Sequence, residues 1–198
     1  MTLIFATNNL HKLSEIRSII PNPKRILGLS EAGFEGEIPE DFPTLEQNAS
    51  QKAWYIYKKL GQNCFADDTG LEVDALNGEP GVYSARYSKM GELKFPDLEI
   101  SDGNIKKLLE MMRYEVNRQA RFRTVIALII NRVEYQFEGI VSGAIAMEKK
   151  GLQGFGYDPV FIPDGKQCSF GEMNLEEKNR ISHRGIAVGK FVNFLNSI

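Results

Sequence analysis

The chain has 198 residues, 42 % of them hydrophobic and 25 % charged, with a formal net charge of −2. That is enough apolar material for an ordinary globular core, and too little basic excess for a protein that neutralises many phosphates along a nucleic acid. The apolar opening Thr2–Ala6 is too short for a signal-peptide core and has no basic leader, and the longest later run, Val125–Ile130, falls far short of a membrane span. The expectation is a cytoplasmic protein with no membrane or nucleic-acid partner. Cys64 and Cys168, far apart in sequence, read as reduced thiols.

Residues 2–6 read as a strand, Thr7-Asn8-Asn9 as a turn, and the spacing of Leu10, Leu13, Ile16 and Ile20 predicts a helix over about 10–20. A strand, a polar turn and a helix in that order open an α/β fold. The acidic stretch 31–41 reads as loop with edge structure. Thr44 and Gln47 have capping-box spacing, and a second amphipathic helix follows, carrying Ala49, Ala53, Ile56, Tyr57 and Leu60 and ending at Gly61. Cys64-Phe65-Ala66 reads as a short buried strand that stops at Asp67-Asp68-Thr69-Gly70.

Further on, Gly78, Pro80 and Gly81 mark a loop. A helix starts near Ser101-Asp102 and turns Ile105, Leu108, Leu109 and Met112 inward. Arg121–Ile130 and Tyr135–Met147 read as long strands joined by a hairpin at Asn131-Arg132. Gly151–Pro163 reads as a glycine- and aromatic-rich loop, and Gly185–Leu195 as a last helix. No linker separates independent domains, so residues 1–198 are expected to form one domain with a mixed sheet.

Asp67-Asp68 is the sharpest chemical signal. Two carboxylates at the end of an apolar strand are costly near a core unless something cationic meets them. Alternation along a strand sends them to opposite sides, so one could face a ligand and bind Mg²⁺ or orient a water. The same residues would also make an ordinary Asx turn closed by Gly70. Thr7–Lys12 joins a strand to a helix, a place suited to a phosphate, but it is not a Walker motif and also fits a plain helix cap. Phe155 within Gly154–Pro159 offers a stacking face for a base, or simply a core ring in a tight turn. Ser182-His183-Arg184 supplies donors for a carbonyl or phosphate, or is surface.

Six segments in order carry a resemblance: Thr7-Asn8-Asn9-x-x-Lys12, Asn48-Ala49-x-x-Lys52-Ala53, Phe65–Leu71, Gly81–Tyr87, Gly154–Phe161, and Ser182-His183-Arg184 with Lys178 before it. Together they resemble the inosine triphosphate pyrophosphatase family over nearly the whole chain. The resemblance implies an α/β fold: an elongated mixed β-sheet flanked by helices, in two lobes with a central nucleotide-binding cleft, usually as a homodimer. It implies hydrolysis of non-standard purine nucleoside triphosphates (ITP, dITP, XTP) to the monophosphate and pyrophosphate, with Mg²⁺ as cofactor. Carried over by position, Asp68 is the metal-associated general base and Thr69 a substrate contact. Thr7, Asn8, Asn9, Leu10, His11 and Lys12 hold the phosphates with Lys52. Phe155, Gly156, Tyr157, Asp158, Lys178, His183 and Arg184 surround base and sugar.

One departure stands out. Before Asn48 the family commonly has a metal-binding glutamate, and this chain has Gln47, which brings an amide oxygen but no charge. Glu46 is a substitute, turned by roughly 100° around the helix. Two other readings compete. A phosphomonoesterase with an Asp nucleophile would want a D-x-D spacing rather than adjacent carboxylates. A nucleotide sensor with a decayed metal site would bind ITP without releasing pyrophosphate.

Overall fold

The computed structural model describes residues 2–20 and 26–198. Its chain divides into two compact units built from interleaved segments. The first takes residues up to Asp68, then Thr124–Gly139 and Ser182–Ile198; the second takes Thr69–Arg123 and Ile140–Ile181.

In the first unit, strand β1 (Leu3–Phe5) leads through Thr7–Asn9 into helix α1 (Leu10–Ile19), and β2 (Ile26–Leu27) returns parallel to β1. Helix α2 (Leu45–Leu60) starts at Thr44, whose side chain accepts from Gln47 N, and ends at Gly61 in the left-handed region. Gln47 supplies only half of a capping box, because its side chain meets the Thr44 hydroxyl. Strand β3 (Cys64–Val73) then runs parallel to β1. These early strands are apolar on both faces, as parallel strands buried on both sides are, and the Phe5 and Phe65 rings stack at 4.6 Å. Ile16 of α1 completes that core with Phe191 of helix α5 (His183–Ser197).

The second unit holds β4 (Pro80–Gly81), antiparallel to β3, a 3₁₀ segment at Ser84–Lys89, and helix α3 (Ile100–Met111). Strands β5 (Gln119–Ile130) and β6 (Val133–Ile145), whose Thr124–Gly139 portion belongs to the first unit, are joined by Asn131 and Arg132, both at positive φ, as a tight hairpin turn requires. Strand β7 (Phe161–Pro163) pairs antiparallel with β6, and helix α4 (Leu175–Ile181) follows. Phe122, Phe161 and Phe170 form the aromatic centre of this unit, with centroids 4.7 Å and 5.4 Å apart. Among the described residues the strands form one seven-stranded mixed sheet, ordered β2-β1-β3-β5-β6-β7 with β4 against β3.

Three expectations need correction. The strand through Cys64 does not stop at Asp67: it runs 10 residues in all, to Val73, so Gly70 lies inside a strand and not in an Asx turn. The stretch 151–163 is not all loop, since a 3₁₀ turn at Asp158–Val160 feeds β7. The acidic 31–41 stretch carries no strand. No helix among the described residues is long and apolar enough to cross a membrane.

Candidate active site

Strand β3 delivers the two carboxylates that organise the first unit. Asp67 Oδ1 accepts from Lys12 Nζ at 2.9 Å, and its Oδ2 accepts from Nε and Nη2 of Arg184, each at 3.3 Å. Nη1 of Arg184 donates to Glu15. Burial alone would raise the Asp67 pKa, but the charges of Lys12, Arg184 and Lys52 outweigh it and hold the carboxyl well below the usual carboxylate range.

Asp68 has the opposite balance. Its Oδ1 accepts from Lys52 Nζ at 3.0 Å, while its Oδ2 is buried with no hydrogen-bond partner. Burial pushes its pKa up against the pull of Lys52 and Lys12. A buried carboxylate oxygen left unpaired is costly, so Oδ2 is the atom in this cluster most in need of a cation or a water.

Lys52 is placed by α2, whose buried face also carries Asn48 one turn earlier. Asn48 clamps the preceding loop from both sides: Phe42 N donates to its Oδ1 at 2.9 Å, and its Nδ2 donates to Phe42 O at 3.0 Å. That clamp holds Glu40 where its Oε1 accepts from Lys52 Nζ at 2.6 Å. Lys52 therefore sits between two acids, and although burial opposes its charge, Asp68 and Glu40 raise its pKa. Lys12, by contrast, is lowered by burial despite Asp67.

At the head of α1, the Asn9 side chain accepts from the N–H groups of His11 and Lys12, and Thr7 Oγ1 accepts from Asn9 N. Asn8 Nδ2 donates to Gly36 O at 3.0 Å, and Leu10 and His11 are exposed. The helix start is thus already capped by its own residue, so Lys12 is the group here best suited to meet an anion.

Glu40 and Asp68 form a pair of hard oxygen donors, with the unpaired Asp68 Oδ2 as a third contact. That set fits Mg²⁺, which binds through one or two carboxylates and completes its shell with water and substrate phosphates. Among the described residues no group of three or more His, Cys, Asp or Glu forms a complete protein cage. Gln47 turns its Oε1 to the Thr44 hydroxyl at 3.1 Å and lines a surface groove with Phe42, Trp54 and Tyr55. Glu46 is half-buried in the first turn of α2.

The second unit holds its own cluster. Asp158 Oδ2 accepts from Phe155 N and from Lys178 Nζ, both at 2.7 Å, and Asp158 and Lys178 are almost wholly buried. The Lys178 ammonium lies 4.9 Å from the centre of the Phe155 ring, within cation–π range. Gly154 has φ +73, and a Cβ there would lie 2.1 Å from Asp158 Oδ2, so only glycine lets the loop close on that carboxylate. Tyr157 donates its hydroxyl to Ser84 O at 3.0 Å, fastening the loop to the 3₁₀ segment. Asn104 and Lys107 of α3 hold that segment in turn.

The Ham1 family profile matches residues 3–194. A dITP/XTP pyrophosphatase of Porphyromonas gingivalis is 52 % identical over 194 residues, covering 98 % of this chain and 96 % of the relative. Its counterpart in Flavobacterium psychrophilum is 48 % identical over 197 residues, covering 100 % of both. The chain belongs to the Ham1 family. A solved HAM1 protein from Coxiella burnetii, 33 % identical, superposes with a TM-score of 0.87 over 100 % of both chains.

In this Ham1-family chain the first unit brings Lys12, Lys52 and Asp68 into one electrostatic cluster. Phe155, Asp158 and Lys178 meet in the second unit, where half-buried Thr69 also falls and Gly156 is half-buried at the tip of the loop. His183 opens α5 and is buried, its carbonyl so close to β6 that a Cβ on Gly139 would fall 2.0 Å from it. Arg184, read from sequence as a donor to the base, has its guanidinium engaged by Asp67 and Glu15. Glu40, Glu15 and the clamping role of Asn48 went unseen. The signal for Glu40 was its place in an acidic loop just ahead of a helix whose buried face carries Asn48 and Lys52. Glu15 stands one turn after Lys12 on α1, a spacing that puts both on one face.

Proposed function

We propose that the chain hydrolyses non-standard purine nucleoside triphosphates (ITP, dITP and XTP) to the nucleoside monophosphate and pyrophosphate, removing them from the nucleotide pool. The observation that carries the reading is Asp68: a buried carboxylate with one oxygen on Lys52 and the other without a partner, in a cluster that also holds Lys12.

Water attacks the α-phosphorus and pyrophosphate leaves. Such chemistry depends on positioning and on neutralising phosphate charge rather than on a covalent partner. Lys12 and Lys52 offset triphosphate charge, and Asp68 orients the water and takes up its proton, a task favoured by a pKa raised toward the working range. Glu40 and Asp68 would hold Mg²⁺, which when bound supplies further neutralisation of the phosphates. Thr69 contacts the substrate next to Asp68. Thr7, Asn8 and Asn9 shape the turn that presents Lys12, and Leu10 and His11 flank it.

Phe155 offers a ring face to the base, and Asp158 and Lys178 hold the loop that carries it. Hypoxanthine and xanthine present a C6 carbonyl where adenine presents an amino group, so N–H donors such as those of Gly156 and Tyr157 would be mismatched by ATP. Mismatched buried donors discriminate strongly. Arg184 enters by holding Asp67, and His183 by setting the start of α5. The two free cysteines fit a reducing cytoplasm, and a homodimer is the assembly the resemblance favours.

Pyrophosphate release measured with Mg²⁺ on ITP, XTP, dITP, ATP and GTP tests the reading. The expected result is rapid release from the first three and slow release from ATP, whose C6 amino group mismatches the loop donors. Orthophosphate from nucleoside monophosphates, or tight ITP binding with no release at saturating Mg²⁺, would overturn it.

A further inference from the structure

Helix α1 carries Lys12 and Glu15 one turn apart on the same face, and both turn toward the interior of the first unit. From Glu15 an alternating chain of charges runs to Arg184, to Asp67 and back to Lys12. The four groups come from α1, α5 and β3, and the chain begins and ends on α1. Glu15, Arg184 and Asp67 are all buried, so these are desolvated interactions rather than surface pairs.

Asp67 is shared unequally. Its contact to Lys12 is 2.9 Å, whereas both contacts to Arg184 are 3.3 Å, longer than the usual span of a charge-assisted bond. Arg184 divides its fork between two carboxylates, and Glu15 holds the Nη1 arm. Without that second carboxylate the Nη1 arm loses its pull toward Glu15, which favours closure of the guanidinium on Asp67 with two parallel bonds, the geometry an Arg–carboxylate pair prefers. Lys12 would then share its Asp67 contact with a closer and stronger competitor.

We propose that Glu15 is a positioning residue for the triphosphate: by holding Arg184 back, it leaves Asp67 to aim the Lys12 ammonium. The role rests on the proposed function only through Lys12. Glu15 itself touches no reacting atom, and it acts through Arg184 and Asp67.

The test is a double-mutant cycle on the full chain, read as pyrophosphate release from ITP with Mg²⁺, with thermal stability recorded beside it. Glu15→Gln keeps the shape of the side chain and removes its charge. It is expected to raise KM by about tenfold, the scale of coupling within one ion network, while kcat changes by less than roughly twofold. In a Lys12→Met background the same substitution should leave KM unchanged, since the group it positions is gone. Glu15→Asp, which keeps the charge on a shorter stem, should show a smaller KM rise that also vanishes in that background. It decides the matter alone if the Gln variant does not fold. A lowered melting temperature with no change in KM, or an equal KM rise in both backgrounds, would overturn the role and mark Glu15 as structural. If Lys12→Met has no effect on KM, the assignment of Lys12 fails and this role falls with it. If the wild-type chain releases no pyrophosphate, the proposed function itself has failed.

Discussion

The two units spend their buried charges differently. In the second, Lys178 and Asp158 form one sealed pair: each side chain is 3 % exposed, and Asp158 also ties down the Phe155 amide. In the first, three cations (Lys12, Lys52 and Arg184) meet the carboxylates of Asp67, Asp68, Glu15 and Glu40 around β3, and Asp68 Oδ2 is left without a partner. A sealed pair fixes a loop, because any exchange of partners would strand a charge in a dry interior. An incomplete network can accept a ligand, because a missing partner is what the ligand supplies. Lys52 and Lys178 look alike as motif lysines, and only their surroundings separate the group that the proposed function sets against phosphate from one that ties down a loop.

The sharpest way to break this contrast is Asp68→Asn. If Asp68 is the working carboxylate of the open network, kcat for ITP should fall by about 10²- to 10⁴-fold, the usual worth of a general base. Stability should hold or rise, because burial penalises the charged form of this carboxyl. Turnover close to wild type would sink the assignment. Next in size is Lys178→Met, which leaves Asp158 charged in the interior without the cation that neutralises it. That should cost about 3 kcal/mol of unfolding free energy by denaturant titration, and adding Asp158→Asn should recover part of it. A variant of unchanged stability that no longer binds ITP would show Lys178 to be a ligand group, and the contrast between the units would collapse.

Much of this molecule is readable from local pattern. The spacing of Leu13 and Ile16 marks α1, Thr44 and Gly61 bracket α2, and Asn131-Arg132 marks the hairpin. What pattern missed has a common physical origin. Strand β3 was cut short at Asp67 because two acids in a row look like a turn, and the cations that allow them to stay inside a strand come from α1, α2 and α5. Glu40 went unnoticed because a loop residue has no periodicity to betray it; its place depends on the Asn48 clamp, a contact between helix and loop. The ion-pair partners of Arg184, Glu15 and Asp67, are not visible in its motif because they lie more than a hundred residues away along the chain. Motif order identifies the family; it does not tell which charged members of a motif are already paired.

The smallest expected effect separates the two adjacent acids by pH. The Asp67 carboxyl is held well below the usual carboxylate range, because the charges of Lys12 and Arg184 outweigh the effect of burial. The unfolded chain therefore takes up this proton first as pH falls, and the stabilisation from Asp67, complete above about pH 4, is lost below it as pH descends toward the folded value. Asp68 runs the other way. Its folded pKa is raised, chiefly by burial, so the folded state binds that proton first, and its contribution to stability improves as pH falls through the folded value. Denaturant titrations in metal-free buffer from pH 7 to pH 3 should show both limbs in the wild type. Asp67→Asn should flatten the acid limb, even though its overall stability is lower for leaving Lys12 and Arg184 short of a partner. Asp68→Asn should flatten the limb above pH 4 and leave the acid one intact. Identical pH profiles in the two variants would mean that neighbouring carboxylates on one strand behave as a single group, and the distinction between a satisfied Asp67 and an open Asp68 would have to be abandoned.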